Sequence, residues 1–385
     1  MDITSTRRLC CRRDDQGSPD EVCRGSRVTS SVVRFPAALI AVALIGFVLW
    51  DAFEAIVLPR RVTRRWRLAR LFYRLTWTLW SAVARRIVSR VRRESLLGVY
   101  GPLSLLFLLG LWAGSLVLGF GALHWSLGTT MNTPGESPSF GTYLYVSGTT
   151  FFTLGLGDVT PRGPVGRGLT VLESGVGFGF LALVIGYFPV LYNAFSRREV
   201  SITLLDPKAG SPPNVEELLR RHGQDHFHRL DRFLHEWERW TAELMESHIS
   251  YPVLAYFRSQ HSSQSWLGAL TTILDTCALL MAEARDESAW QARATFAMAR
   301  HAVIDLAQVF RLDPRAPSPD RLSPSDLARL FHLLAEAGRP PSDTAETTRR
   351  LADYRRTYEP YVNALADRLL MPLPAWTSTT RPHGA

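Results

Sequence analysis

The sequence predicts an all-α membrane protein: three transmembrane helices, a re-entrant helix and loop between the second and third, a basic interfacial helix, and a C-terminal cytosolic helical bundle. Three observations predict it. Long apolar segments are confined to residues 36–194 of the 385. An arginine block separates the first two of these segments. The remainder, 195–385, places apolar residues at helical spacing among charged ones, with proline-rich breaks.

The formal charge of +9 does not indicate nucleic acid, because of where it sits. Twelve arginines lie between Arg60 and Arg93, a stretch without Asp or Glu. Flanked by hydrophobic segments, such a block is expected to face a bilayer with anionic headgroups. Residues 1–33 read as a disordered tail. Its Cys10, Cys11 and Cys23 lack the spacing of a zinc site. No cleavage-site pattern precedes the first span, so no signal peptide is expected.

Residues 34–95 are expected to hold the first span, Pro36–Leu58, and the interfacial helix over 62–93. In the latter, Leu68, Leu71, Phe72, Leu75, Leu79 and Ala82 recur at helical spacing. Arg67, Arg70, Arg74 and Arg85 fall opposite, and Trp66, Trp77 and Trp80 flank the stripe as interfacial aromatics do. Asp51 and Glu54 have two readings. They pair or snorkel beside Arg60 and Arg61, or they dock the basic helix through Arg70 or Arg74. The second span is expected at Leu96–Leu123 and the third at Gly168–Ala194, with Glu173 its only charge. The positive-inside rule places the arginine block and the C-terminal domain in the cytoplasm of a multi-pass cell-membrane protein.

Between those spans, residues 140–152 predict a helix too short to cross, followed by Thr153-Leu154-Gly155-Leu156-Gly157-Asp158. Non-helical backbone at membrane depth must line a water-filled path or lie inside protein. Gly155 and Gly157 permit positive φ, so successive carbonyls can point at one axis and replace an ion's water shell. The Thr153 hydroxyl adds an innermost ligand. One chain supplies one strand of such a ring, so four copies are expected.

This run resembles the potassium-channel family built on two-transmembrane pore modules, whose signature is TVGYG followed by Asp. The resemblance covers residues 96–198 and rests on Thr153, Gly155, Gly157 and Asp158, with Leu154 for Val and Leu156 for Tyr. It implies a homotetrameric, potassium-selective channel and not an enzyme. Backbone carbonyls of Thr153, Leu154, Gly155 and Leu156 would bind the permeant potassium, with no other cofactor. It implies Asp158 as outer support, and Thr149 at the pore-helix position where bacterial members often carry a carboxyl. Glu173 is expected behind the filter or as a cation-attracting charge. Gly177 falls at the hinge of the inner helix, the alternative being close helix packing with Gly175 and Gly179. Two competing readings are a weakly selective cation channel, through Leu156, and a non-conducting membrane receptor on the same fold.

Residues 199–212 read as a linker beginning with a short strand, Glu199–Asp206. The cytosolic domain, 213–385, is expected to hold about five helices, at 214–246, 263–285, 287–312, 325–337 and 343–370. His222 and His226 stand four apart, with His228 and His235 nearby, and read as exposed or packing residues. No nucleotide-binding βαβ pattern occurs, and the domain's partner is not named by the sequence.

Overall fold

A computed structural model describes residues 19–58, 67–133, 138–222, 227–261, 263–284 and 289–378. The side chains of residues 19–33, Phe227 and His228 lie outside that description, as do Arg60, Arg61, Trp66 and His226. The chain is almost wholly helical and resolves into two compact units. One comprises residues 1–50 and 110–182, the other 51–109 and 183–385.

The first unit takes its helices from α1 (Pro19–Ile56), α3 (Arg90–Ser126), α4 (Phe140–Phe151) and α5 (Pro164–Ala209). α1 is described from Pro19, 17 residues before the expected span at Pro36. Ser139 caps α4: its Oγ accepts from the Thr142 amide at 3.4 Å, and its own amide donates to Thr142 Oγ1 at 3.2 Å. At 12 residues, α4 is about 18 Å long and cannot span a bilayer. A two-residue ribbon, β1 (Met131–Asn132) against β2 (Thr160–Pro161), is antiparallel with Met131 opposite Pro161. It ties the segment after α3 to the segment after the glycine loop.

In the second unit, α5 stays helical through Ala209, so the strand expected at Glu199–Asp206 is absent. Val200, Ile202 and Leu204 suit either structure, and Ile202 and Leu205 are buried in the unit's core at a helical interval of three. The bundle contains α6 (Val215–His222), α7 (Phe227–Ser250), α8 (Trp266–Glu283), α9 (Trp290–Val309), α10 (Pro324–Glu336), α11 (Thr344–Arg356) and α12 (Glu359–Leu369). A 3₁₀ turn, Pro252–Tyr256, follows α7. The expected 214–246 helix is thus two, separated by the undescribed stretch that includes Gly223. The 343–370 helix breaks at Thr357–Tyr358, where Pro360 restarts it as a first-turn residue. α8 is the bundle's centre, buried from Trp266 to Ala282 and packed on α9 and α11. Among the described residues, four helices are long and apolar enough to cross a membrane, α8 among them. A helix apolar on all sides and enclosed by its own chain is a core helix.

α2 (Leu68–Arg86) also belongs to this unit. It is two-faced. Leu71, Leu75, Leu79 and Val83 form an exposed row, while Ala69, Trp77, Ser81 and Ala84 are buried. Trp77, expected at a membrane interface, is instead a core residue. Its ring packs 4.8 Å from both Tyr100 and Tyr256, and its Nε1 donates to the Arg368 carbonyl at 2.8 Å. The bundle gives the indole a donor's partner that an apolar stripe could not reveal. The 62–93 helix is likewise two elements, broken at Ile87–Ser89, so Arg90–Arg93 open α3. Asp51 docks α2 through backbone, accepting from the Leu68 and Ala69 amides at 3.0 Å each. These are unpaired first-turn donors at a positive helix end. Glu54 lies 3.5 Å from Arg67 Nε. The docking reading holds, through Arg67 and two backbone amides, with the Arg70 charge also within reach of Glu54.

Candidate functional site

The loop after α4 starts from a tight anchor. The Thr149 carbonyl accepts from the Leu154 amide at 2.8 Å and the Gly155 amide at 3.2 Å, and Thr153 N donates to the Thr150 carbonyl at 3.0 Å. The Thr149 hydroxyl turns back to the Val146 carbonyl at 3.0 Å, so this residue holds the loop through its backbone. Positive φ then recurs at every second residue: Thr153 at 57°, Gly155 at 55° and Gly157 at 79°. For glycine that conformation is free. For β-branched Thr153 it costs on the order of 1–3 kcal/mol, a strain the anchor must offset.

Alternation of left-handed residues with Leu154 and Leu156 is a backbone pattern that can turn successive carbonyls the same way. Among the described residues, no donor of this chain reaches the carbonyl oxygens of Thr153 to Gly157. Leu154 and Leu156 are exposed, as are the backbone groups between them. Five adjacent acceptors without a donor form an arrangement that can coordinate a cation.

Asp158 accepts from the Tyr145 hydroxyl at 2.9 Å, a brace from α4 to the end of the loop. Sequence reasoning looked for that brace at Thr149, one helical turn on, and passed over Tyr145. The signal was there: Tyr145 and Thr149 are four apart and share a face of α4. Glu173 is fully buried, behind α4. Its Oε1 accepts a short hydrogen bond from Ser147, and its Oε2 lies 3.7 Å from His124 Nε2. Ser147 Oγ also lies 2.8 Å from the Val117 carbonyl, and His124 Nδ1 is 3.3 Å from Thr129 Oγ1. Glu173 therefore ties α5 to α4 and to the end of α3. Neither His124 nor Ser147 was singled out from the sequence, since a lone histidine at a span's end and a serine in a short helix carry no motif.

Gly177 sits against the C-terminal end of α4. A Cβ there would lie 2.1 Å from the Phe151 carbonyl oxygen, whereas Gly175 and Gly179 have no such neighbour within 4 Å. Gly177 alone of the three is closely packed, in a helix that continues through the position. In the second unit, His222 Nδ1 contacts the Leu218 carbonyl at 3.0 Å, and His235 is exposed near Glu238.

A short helix, a glycine loop with positive φ at alternate residues and two flanking apolar helices make up an ion-channel pore module. Residues 111–192 match the model of a family described as "Ion channel", over the stretch that carries this site. Two curated relatives are similar to this chain. The uncharacterized membrane protein YdjJ of Bacillus subtilis (strain 168) is 25% identical over 180 residues, 46% of this chain and 52% of its own length. Protein LctB of Geobacillus stearothermophilus is 33% identical over 90 residues, 21% of this chain and 66% of its length. The chain thus spans about half of the first relative and just under two thirds of the second. No solved structure matches.

Proposed function

We propose that this chain is the pore-forming subunit of a homotetrameric potassium-selective channel, with its filter at Thr153, Leu154, Gly155, Leu156 and Gly157. The observation that carries the reading is the set of donor-free carbonyls at alternating φ. One strand cannot surround an ion. Four copies about an axis would supply rings of carbonyls, and would also cover Leu154 and Leu156. Asp158 and Tyr145 would fix the outer end of the filter, Thr149 the inner end, and Glu173 its backing. Conduction is passive, and permeant potassium is the only ligand the site needs.

The second unit's bundle is assigned to the cytoplasm. The exposed Leu71–Leu75–Leu79–Val83 row of α2, with Arg74, Arg85 and Arg86 beside it, would rest on anionic headgroups of the inner leaflet. A weakly selective cation pore is the competing reading, favoured by Leu156. It is 63% exposed and offers no phenol to tie the filter to its surroundings.

Reversal potential separates the two readings. With potassium on one side of a liposome or planar bilayer and sodium on the other, the proposal expects reversal near the potassium Nernst value. Gly155→Ala should abolish that selectivity. Its Cβ meets no atom within 4 Å, so only the φ of +55° is disturbed and the fold is spared. Reversal near zero with robust current would identify a general cation pore. Wild-type selectivity in Gly155→Ala would place the filter elsewhere.

A further inference from the structure

α5 is longer than a membrane needs. Past the expected span, which ends at Ala194, residues 195–209 continue it by about 22 Å of helix. That extension is two-faced. Arg198, Ile202, Leu205 and Ala209 are buried by the second unit. Val200 and Leu204 are each 58% exposed on the other side. Among the described residues beyond Leu204, Trp290 is the one further large apolar side chain left so bare. The bundle keeps its surface polar, and the open apolar row is on α5.

The row has a period. Asn193, Arg197, Val200, Leu204 and Pro207 are all exposed, and they stand four, three, four and three apart. That alternation is the seam a helix presents to another helix in a supercoil, which lipid does not require. Every copy of the chain crosses the membrane in the same sense, so copies of α5 run parallel and meet at the same residues.

Charge points to the same occupant. Arg197 is exposed and makes no ion pair among the described residues. Like arginines at one height repel, so a parallel seam needs an acid beside it. A groove of about 290 Å³ runs along the same side of α5, between Phe195, Glu199, Val200 and Leu204 and the loop residues Gln260 and His261. Glu199 gives Oε1 to Arg198 Nε at 3.0 Å, and its Oε2 takes no partner among the described residues. Apolar walls with one half-used carboxylate suit a seam of two apolar residues and one free guanidinium.

We propose that the cytosolic extension of α5 is a contact between copies of this chain. The Arg197–Val200–Leu204 seam of one copy packs along the groove of the next, and Arg197 pairs with Glu199 of the second copy. The inference rests on the homotetramer proposed above and adds where, beyond the membrane, its copies touch.

The test is cross-linking of the full chain in liposomes, with Cys10, Cys11 and Cys23 replaced by serine and the buried Cys277 kept. Val200→Cys and Leu204→Cys, treated with a short bis-maleimide and quenched, should each run as dimers on a denaturing gel. Arg349→Cys, on an exposed side of α11, should stay monomeric. Arg197→Glu sets like charges against each other and should cut the dimer yield about tenfold. Exchanging the pair, Arg197→Glu with Glu199→Arg, should restore it, since Arg198 keeps the Leu254 and Phe257 carbonyls as partners. Dimers undiminished by Arg197→Glu overturn the pairing. No dimers from either position, with tetramers still present on native gels, overturn the contact and leave the homotetramer standing. No dimers and a monomeric chain overturn both. Leu204→Cys shielded from a water-soluble maleimide without cross-linking would assign the row to lipid and overturn the contact.

Discussion

α5 and α8 are both long and apolar enough to cross a membrane, yet the chain treats them oppositely. Every residue of α8 from Trp266 to Ala282 is buried by its own unit. On α5, Val171, Leu172, Phe178, Leu181 and Ile185 are exposed, and the neighbouring loop leaves Leu154 and Leu156 bare. Each uncovered large side chain forgoes about 1.5–3 kcal/mol of burial in water. The bundle completes itself. The pore unit is complete only with lipid and, on the proposed function, three further copies around it. Apolarity alone does not say which solvent a helix meets; what covers it does.

The largest effect expected from this contrast comes from adding one carbon to the pore unit. In Gly177→Ala the new Cβ would overlap the Phe151 carbonyl, so α4 must move and take the proposed filter with it. Ion flux should fall by at least about tenfold, with tetramers weakened on native gels. Thermal unfolding of the bundle should be untouched, because Gly177 lies in the other unit. Gly175→Ala, with open space around it, is the control and should be near neutral. A conducting Gly177→Ala beside a dead Gly175→Ala would break the assignment of close packing to Gly177.

A smaller effect belongs to the bundle alone. His248 is buried, with Nδ1 2.8 Å from the Leu244 carbonyl and Nε2 3.1 Å from Arg198 Nη1. Nδ1 therefore donates and Nε2 accepts, which only the neutral ring can do. Burial, reinforced by the Arg198 charge, holds its pKa well below the ordinary 6.5. The unfolded state binds the proton more readily, so the stability is fully present above about pH 6.5 and declines as pH falls below it. The loss reaches about 2 kcal/mol by pH 5 if the folded ring is still neutral there. The midpoint of bundle unfolding should drop between pH 7 and 5, and His248→Gln should flatten that slope. An equal slope in the variant would remove His248 as its source.

The two units were unequally legible in the sequence. The spans, the short helix at 140–152 and the TLGLGD loop could be read because each is a local pattern: a long apolar run, a segment too short to cross, glycines at alternate positions. What was missed joins residues far apart in sequence. Tyr145 meets Asp158, Ser147 meets Glu173, and Trp77 reaches across 291 positions to Arg368. Periodicity also assigned α2 one apolar face where the structure uses two, because leucines that face outward and tryptophans that face the bundle share a helical repeat. The strand expected at Glu199–Asp206 failed for a related reason: β-branched residues in a helix that a neighbouring core extends.

The smallest effect tests whether the outer end of the proposed filter is held by its own chain. Tyr145→Phe removes one hydrogen bond to Asp158 at an exposed site, where water competes for both groups and the loss is small. That is too little to unfold the unit but enough to shift a balance between two filter states several-fold. Single-channel records should then show the filter closing more often, with reversal potential unchanged, since no carbonyl ligand is altered. Asp158→Asn keeps an acceptor for the phenol and should be milder than Tyr145→Phe if this bond is what matters. If instead Asp158→Asn is the more severe, the carboxylate acts through its charge at the pore mouth, and the brace belongs to the assembled ring and not to the single chain.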